Sequence, residues 1–310
     1  MAIRDLMNNY FYGKQGKADM TIADLPANRR QLFGTVLRVR WSQMIGVNLL
    51  YLIIWIPAIV WTIMNLMLLQ GVASTDAVEF SRADVLSVIS TWLLIMIPCV
   101  AVTGPFNAGV TYVVRNWARD QHSFVLSDFR DAIKGNWKQA LPVSFITGLM
   151  PFLVFVAVEF YGEMSKSSPI FMVPIALVML VGALWSMATM LMYVMMVTYR
   201  LSLGNVIRNS LLLTVGKLPF AVLFKLITLI LPALGLGVSM VSPSSMGYVL
   251  LALSILYVLI MPVFNKLITV SYANWLCETY LNSRIEGAQT NIGLRPENWD
   301  DTEYRPEDDE

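Results

Sequence analysis

Two cysteines, Cys99 and Cys277, and one histidine, His122, are all that 310 residues provide of either type. Two thiols cannot build a disulfide framework. One imidazole excludes the paired helical ligands of an intramembrane metalloprotease, which needs a spacing such as His-Glu-x-x-His. Neither cysteine has a plausible partner base, so a thiol or serine hydrolase is not expected either. No Gly-x-x-x-x-Gly-Lys occurs, so the chain is not the motor subunit of an ATP-driven pump. The chain is expected not to be an enzyme, and to hold no cofactor and no metal. Charge is equally scarce: Asp, Glu, Lys and Arg make up 14% of the sequence, where a soluble domain carries about 25%. Too few charges remain to cover a water-exposed surface of this size.

What is present is apolar, at 56% of residues. Five stretches lack any charged side chain: 41–75, 85–114, 139–158, 167–199 and 226–265. Crossing the hydrocarbon core takes about 20 apolar residues. The last stretch is divided by Ser242-Pro-Ser-Ser-Met-Gly247, a run of turn formers. Six spans follow, over about 44–69, 85–114, 140–161, 170–199, 218–240 and 247–272. Runs such as Leu49–Ile56 and Met190–Val197 are apolar on every side, which rules against the alternating strands of a barrel. The expected fold is an all-α polytopic bundle, with a segment 1–43 before it and an acidic, partly disordered tail over 273–310.

Lys and Arg set the expected orientation. Arg4, Lys14, Lys17, Arg29, Arg30, Arg38 and Arg40 precede the first span. Arg115, Arg119, Arg130, Lys134 and Lys138 follow the second, and Arg200, Arg208 and Lys217 follow the fourth. The alternate loops offer only Arg82 and Lys166. This imbalance puts both termini in the cytoplasm.

Each span holds a proline away from its ends: Pro57, Pro98, Pro151, Pro174, Pro232 and Pro262. Any of them can kink its helix, although prolines are common in membrane helices. Thr103-Gly-Pro-Phe-Asn-Ala-Gly109 adds an amide and two glycines. Gly104, Pro105, Asn107 and Gly109 form either a close-packing notch or a helix break lining a cavity. Between spans two and three, Phe124, Phe129, Ile133, Trp137 and Leu141 recur at close to helical spacing beside the basic stripe Arg130, Lys134 and Lys138. This reads as an amphipathic interfacial helix starting near Ser127 and Asp128. The stripe meets anionic lipid or an acidic partner, or simply obeys the positive-inside rule. Phe129 to Pro142 echoes Val206 to Pro219: an Arg opens each passage, and a Lys leads to Leu-Pro. Two three-span halves with cytoplasmic elbow helices are expected from this echo.

Gly104-Pro105, Ala108-Gly109, Tyr112 and Arg115, followed by Ser127-Asp-Phe129 and Asn136-Trp-Lys-Gln139, resemble the YesL-like family of bacterial membrane proteins. Tyr199-Arg-Leu-Ser-Leu203, Arg208-Asn209 and Lys217-Leu-Pro219 are similar to its later motif. Phe11-Tyr-Gly-Lys14 and Asp24–Arg29 are similar to the N-terminus of its longer members. The resemblance implies a multi-pass protein of the bacterial plasma membrane, of a family best known as a domain of unknown function. Its members often have carbohydrate-uptake and two-component genes as neighbours, and it supplies no site residues.

Charges and amides within spans are the default functional candidates. Lys225 and Lys266 either snorkel to headgroups or share a cytoplasm-facing cavity that attracts an anion or a polar solute. Asn48, Asn65 and Asn107 are expected to point into the bundle and to join that cavity as amide partners. Glu159 is expected at the outer interface. Met187, Met190, Met192, Met195 and Met196 suit flexible packing better than Cu(I), since no cysteine or histidine lies near. The last residues, from Asp300 to Glu310, are strongly acidic. The function expected first is a non-enzymatic accessory to carbohydrate uptake or its signalling, bound in the bilayer beside a permease or a sensor kinase. A secondary carrier or channel with a site near Gly104-Pro105, taking a small solute, is the alternative. A structural or lipid-organising role is the third, and nucleic acid is not an expected partner. Carriers converge polar groups on a cavity, whereas an accessory subunit has no need to.

Overall fold

The computed structural model describes residues 25–73, 81–241 and 246–296. The basic residues Arg4, Lys14 and Lys17, the turn residues 242–245 and the acidic run from Asp300 lie outside the described residues. The elements are α1 (Arg29–Ala73), α2 (Arg82–Trp117), α3 (Val125–Ser165), a 3-10 turn (Pro169–Phe171) leading into α4 (Met172–Thr198), α5 (Leu203–Gly216), α6 (Leu218–Val241), α7 (Met246–Leu259) and α8 (Met261–Tyr280). No strand occurs among the described residues. α1, α2, α3, α4 with its 3-10 turn, and α6 are each long and apolar enough to cross a membrane. α7 and α8 pass the same test only as a pair, bent by 61°.

Three boundaries differ from expectation. The first helix begins at Arg29 and has 45 residues, about 68 Å at 1.5 Å per residue. No structural boundary falls at residue 43, because the polar start and the apolar span share one continuous helix. The passage 124–141 is likewise no separate elbow. It is the first part of α3, which runs unbroken through Pro142. The helix also starts earlier than Ser127. Asp128 reaches back to accept from the Phe124 amide (3.0 Å) and the Ser123 hydroxyl (2.7 Å), which satisfies one amide that the helix start leaves without an intrahelical partner. Finally, 273–296 is ordered helix and turns, not tail: α8 continues to Tyr280, and Asn282–Arg284 form a further 3-10 turn.

The prolines behave as helix residues except at one place. Pro57, Pro98, Pro105, Pro142, Pro151 and Pro232 all lie inside continuous helices, and Pro174 sits in the first turn of α4. The Gly104-Pro105 break expected as one alternative is absent: α2 runs through it. Pro262 alone coincides with an interruption, where Ile260 separates α7 from α8 with φ −149° and ψ −27°.

Small residues draw α2 and α3 together. A Cβ on Gly104 would lie 2.5 Å from the Ala140 carbonyl and overlap the Ser144 hydroxyl; one on Gly109 would lie 2.7 Å from the Phe129 ring. Gly148 of α3 returns the contact against Ile97 and Val100. The segment is a packing notch of the kind that lets membrane helices approach closely. Gly104→Ala is therefore expected to cost about 1–3 kcal/mol through forced separation of the two helices. The check is thermal unfolding in detergent beside Gly46→Ala, where an added Cβ meets nothing within 4 Å and little change is expected.

The core collects on the inner faces of these helices. Met44, Val47, Val110, Val113, Trp117, Leu191, Met192, Met195, Leu267 and Leu276 are all under 2% exposed. α4 divides along its length. Met172, Val173, Leu177 and Leu180 are exposed, as a lipid-facing half requires, whereas Trp185 to Met196 supply core. The five methionines of that stretch are all buried in it.

Candidate functional site: a polar cavity inside the bundle

An open cavity of about 420 Å³ lies between the helices, its wall drawn from α1, α2, α3, α4, α6, α7 and α8. The volume falls within the range of small-molecule sites. Three candidates from the sequence meet there: Asn107, Lys225 and Lys266. No Asp or Glu lines it. The Lys266 ammonium lies 5.3 Å from the centre of the Tyr193 ring, a cation–π distance. The Tyr193 hydroxyl is 2.7 Å from Ser144 Oγ, which also donates to the Ala140 carbonyl (3.0 Å). Ser144 is the residue against which Gly104 packs, so the notch fixes one wall of the cavity.

Sequence reasoning passed over the threonines, which are too common in membrane helices to stand out. Thr103, Thr189, Thr228 and Thr269 all line the cavity. Each hydroxyl donates to a carbonyl three residues back on its own helix, respectively Val100, Ser186, Lys225 and Lys266, at 2.7–3.0 Å. That bond uses the only hydrogen, and leaves oxygen lone pairs able to accept. Tyr51 and Trp55 of α1 add an aromatic side.

Asn48 has a different task from the one expected. It is fully buried and does not line the cavity. Its Nδ2 donates to the carbonyls of Tyr257 (2.9 Å) and Val258 (2.8 Å), and its Oδ1 accepts from the Val263 amide (3.2 Å). The carbonyl of Val258 would be served in an unbroken helix by residue 262, which is proline and has no N–H. Asn48 thus splints the α7–α8 break from a neighbouring helix, and so holds Asn265 and Lys266 at the cavity. Asn48→Leu keeps the volume and strands three backbone groups at the helix break, each worth about 1–3 kcal/mol when left unpaired away from water. A thermal unfolding midpoint clearly below wild type is expected, with Asn48→Asp lying between.

The other candidates lie elsewhere. Asn65 is 5% exposed and donates within its own helix to the Trp61 carbonyl (2.8 Å). Arg130, Lys134 and Lys138 are exposed on α3, opposite buried Phe129, Ala132 and Ala140. Phe124, Trp137 and Leu141 share that exposed side, and the Lys138 ammonium lies 5.8 Å from the Trp137 ring centre. Aromatic and basic side chains mixed in this way suit a headgroup region. His122 is exposed, its ring edge-on to Phe124 at 4.6 Å.

Both ends of the bundle carry ion pairs. At the end holding the α1 N-terminus, Glu278 is 3% exposed and accepts from Arg29 Nη2 and from the Asn291 amide (2.9 Å). Arg119, 5% exposed, stands 3.7 Å from the same carboxylate. Residues 281–296 fold across this end, where the Arg295 amide donates to the Pro26 carbonyl (3.0 Å) and the Tyr199 hydroxyl to Asn282 Oδ1 (2.6 Å). Nearby, Arg115 Nη1 donates to the Val197 carbonyl (3.1 Å) and Gln139 Nε2 to the Leu201 carbonyl (2.8 Å). At the opposite end, Arg82 pairs with Glu159 (2.8 Å) and Glu163 (2.6 Å), as Lys166 does with Glu163 (2.5 Å). Lys166 first and Arg82 second hold the Glu163 carboxyl below its usual range. These groups are exposed, so the cluster contributes little to stability.

Residues 44–158 match the model of a family described as a protein of unknown function, DUF624. The match takes in the notch, Asn48, Asn107 and the basic stripe, and stops short of Lys225 and Lys266. No curated protein and no solved structure matches the chain.

Proposed function

We propose that this chain is a multi-pass membrane carrier that takes a small polar solute into the cavity between its helices. The single observation that carries the reading is convergence: amide, hydroxyl and ammonium groups from seven helices face one space. Ionisable side chains inside a bilayer are costly and are by default functional candidates, and here two lysines share one space with hydroxyls and amides. A subunit that only leans on a permease or a kinase gains nothing from such a wall, so the accessory role ranks second. The broken crossing at Ile260 supports the same reading, because interrupted helices beside a site are a recurring carrier device. The excess of Lys and Arg at one end supports both termini in the cytoplasm. The YesL-like resemblance supports the bacterial plasma membrane. A 3+3 organisation, with α5 as the elbow of the second half, belongs to the same proposal.

Proteoliposomes loaded by dilution with labelled gluconate or labelled glucitol test it. Saturable, protein-dependent uptake of either compound is expected, together with its loss in Thr189→Trp, which fills the cavity. Uptake that survives the filled cavity, or no uptake of either compound, contradicts the reading.

A further inference from the structure

We infer that the cavity selects a polyhydroxylated organic anion, such as an aldonic or uronic acid, over a neutral polyol. The inference rests on the reading of the cavity as a solute site, and goes beyond it by fixing the solute's chemistry. Charge comes first. Lys225 and Lys266 are the charged groups of the wall, and no carboxylate opposes them. Neither ammonium takes part in an ion pair among the described residues; Lys266 has only the face of Tyr193. A desolvated cation without a counter-charge is unfavourable, and two facing one space repel each other as well. A bound anion relieves both penalties at once.

Hydrogen bonding gives the rest of the molecule. The hydroxyl hydrogens of Thr103, Thr189, Thr228 and Thr269 are spent on their own helices. What these side chains present to the cavity is oxygen that accepts. An apolar tail would leave these acceptors dry and unmatched, at a cost. A chain of hydroxyl groups donates to them instead. The ligand therefore carries its negative charge toward the lysines and its O–H donors toward the threonines. Tyr51 and Trp55 supply an aromatic side against which the C–H faces of such a chain can lie.

Three probes of matched size separate these contributions. Gluconate has both the charge and the hydroxyls, glucitol has the hydroxyls alone, and hexanoate has the charge alone. Titration calorimetry on the full chain in nanodiscs of uncharged phosphatidylcholine should show gluconate binding at least about tenfold tighter than either. Lys225→Gln/Lys266→Gln should erase that advantage, and Lys225→Arg/Lys266→Arg should keep most of it. Unfolding midpoints measured on the same samples verify that each variant is folded. Equal binding of gluconate and glucitol overturns the charge assignment. Equal binding of gluconate and hexanoate overturns the hydroxyl assignment, and no gluconate binding overturns both. Gluconate binding without uptake would leave this inference standing and sink the carrier. Preferred uptake of glucitol would do the reverse.

Discussion

Glu278→Ala is expected to destabilise the protein by about 3–5 kcal/mol, as removal of one partner from a buried ion cluster does. The carboxylate is 3% exposed and holds two guanidiniums, Arg29 of α1 and Arg119 just beyond α2, together with the Asn291 amide. Without it, Arg119 keeps a buried charge with no counter-ion, and Arg29 repels it. Three separate parts of the chain lose their common anchor. Glu278→Gln retains an acceptor for Arg29 and for the amide, and should lie between alanine and wild type. Thermal unfolding in mild detergent measures the difference. Limited proteolysis should also cut within 281–296 faster in the alanine variant, because that segment is held to the bundle partly through Asn291. An unchanged midpoint and an unchanged cleavage rate would show that the cluster contributes nothing.

The second large effect concerns binding, not stability. Lys266→Gln is expected to weaken gluconate binding by about tenfold or more, with a smaller loss in Lys225→Gln. Lys266 is held in place by the Tyr193 ring, whose hydroxyl is fixed by Ser144. A held ammonium loses less freedom on binding than a loose one. Lys225 has no comparable support among the described residues. Tyr193→Leu should therefore weaken binding through Lys266 and leave a Lys266→Gln background unaffected, which a double-mutant cycle detects. Additive losses would mean that the ring does not position the ammonium.

The five charge-free stretches could be read as membrane spans because the hydrocarbon core tolerates little else over about 20 residues. The same rarity of charge inside a span made Lys225 and Lys266 conspicuous, and they do share a cavity. Their hydroxylated neighbours gave no such signal. A threonine that bonds its own helix looks alike in sequence whether it faces lipid, core or a cavity. The helix interruption was obscured for a related reason. Six spans each held a proline, and only at Pro262 does the chain break, where Asn48 more than 200 residues earlier in sequence serves the stranded carbonyl. Proline removes a donor everywhere; whether the helix parts there depends on what lies alongside. Gly104-Pro105 carried the opposite lesson. Its glycine is needed for the approach of Ala140 and Ser144, and the helix continues through it. Glu278 was passed over because its partners, Arg29 and Arg119, lie far from it in the chain.

The charge of the cavity can be measured without knowing its solute. In a background with Cys99 and Cys277 replaced by alanine, Thr189→Cys places one thiol on the wall. Detergent-solubilised protein is then treated with an anionic or a cationic methanethiosulfonate reagent of similar size. The anionic reagent should react faster by about tenfold or more, relative to the same ratio at an exposed thiol, since a desolvated positive site concentrates anions. The preference should vanish when Lys225 and Lys266 are both glutamine. A thiol that neither reagent reaches, or one that shows no preference for the anion, would contradict a solute cavity of this character.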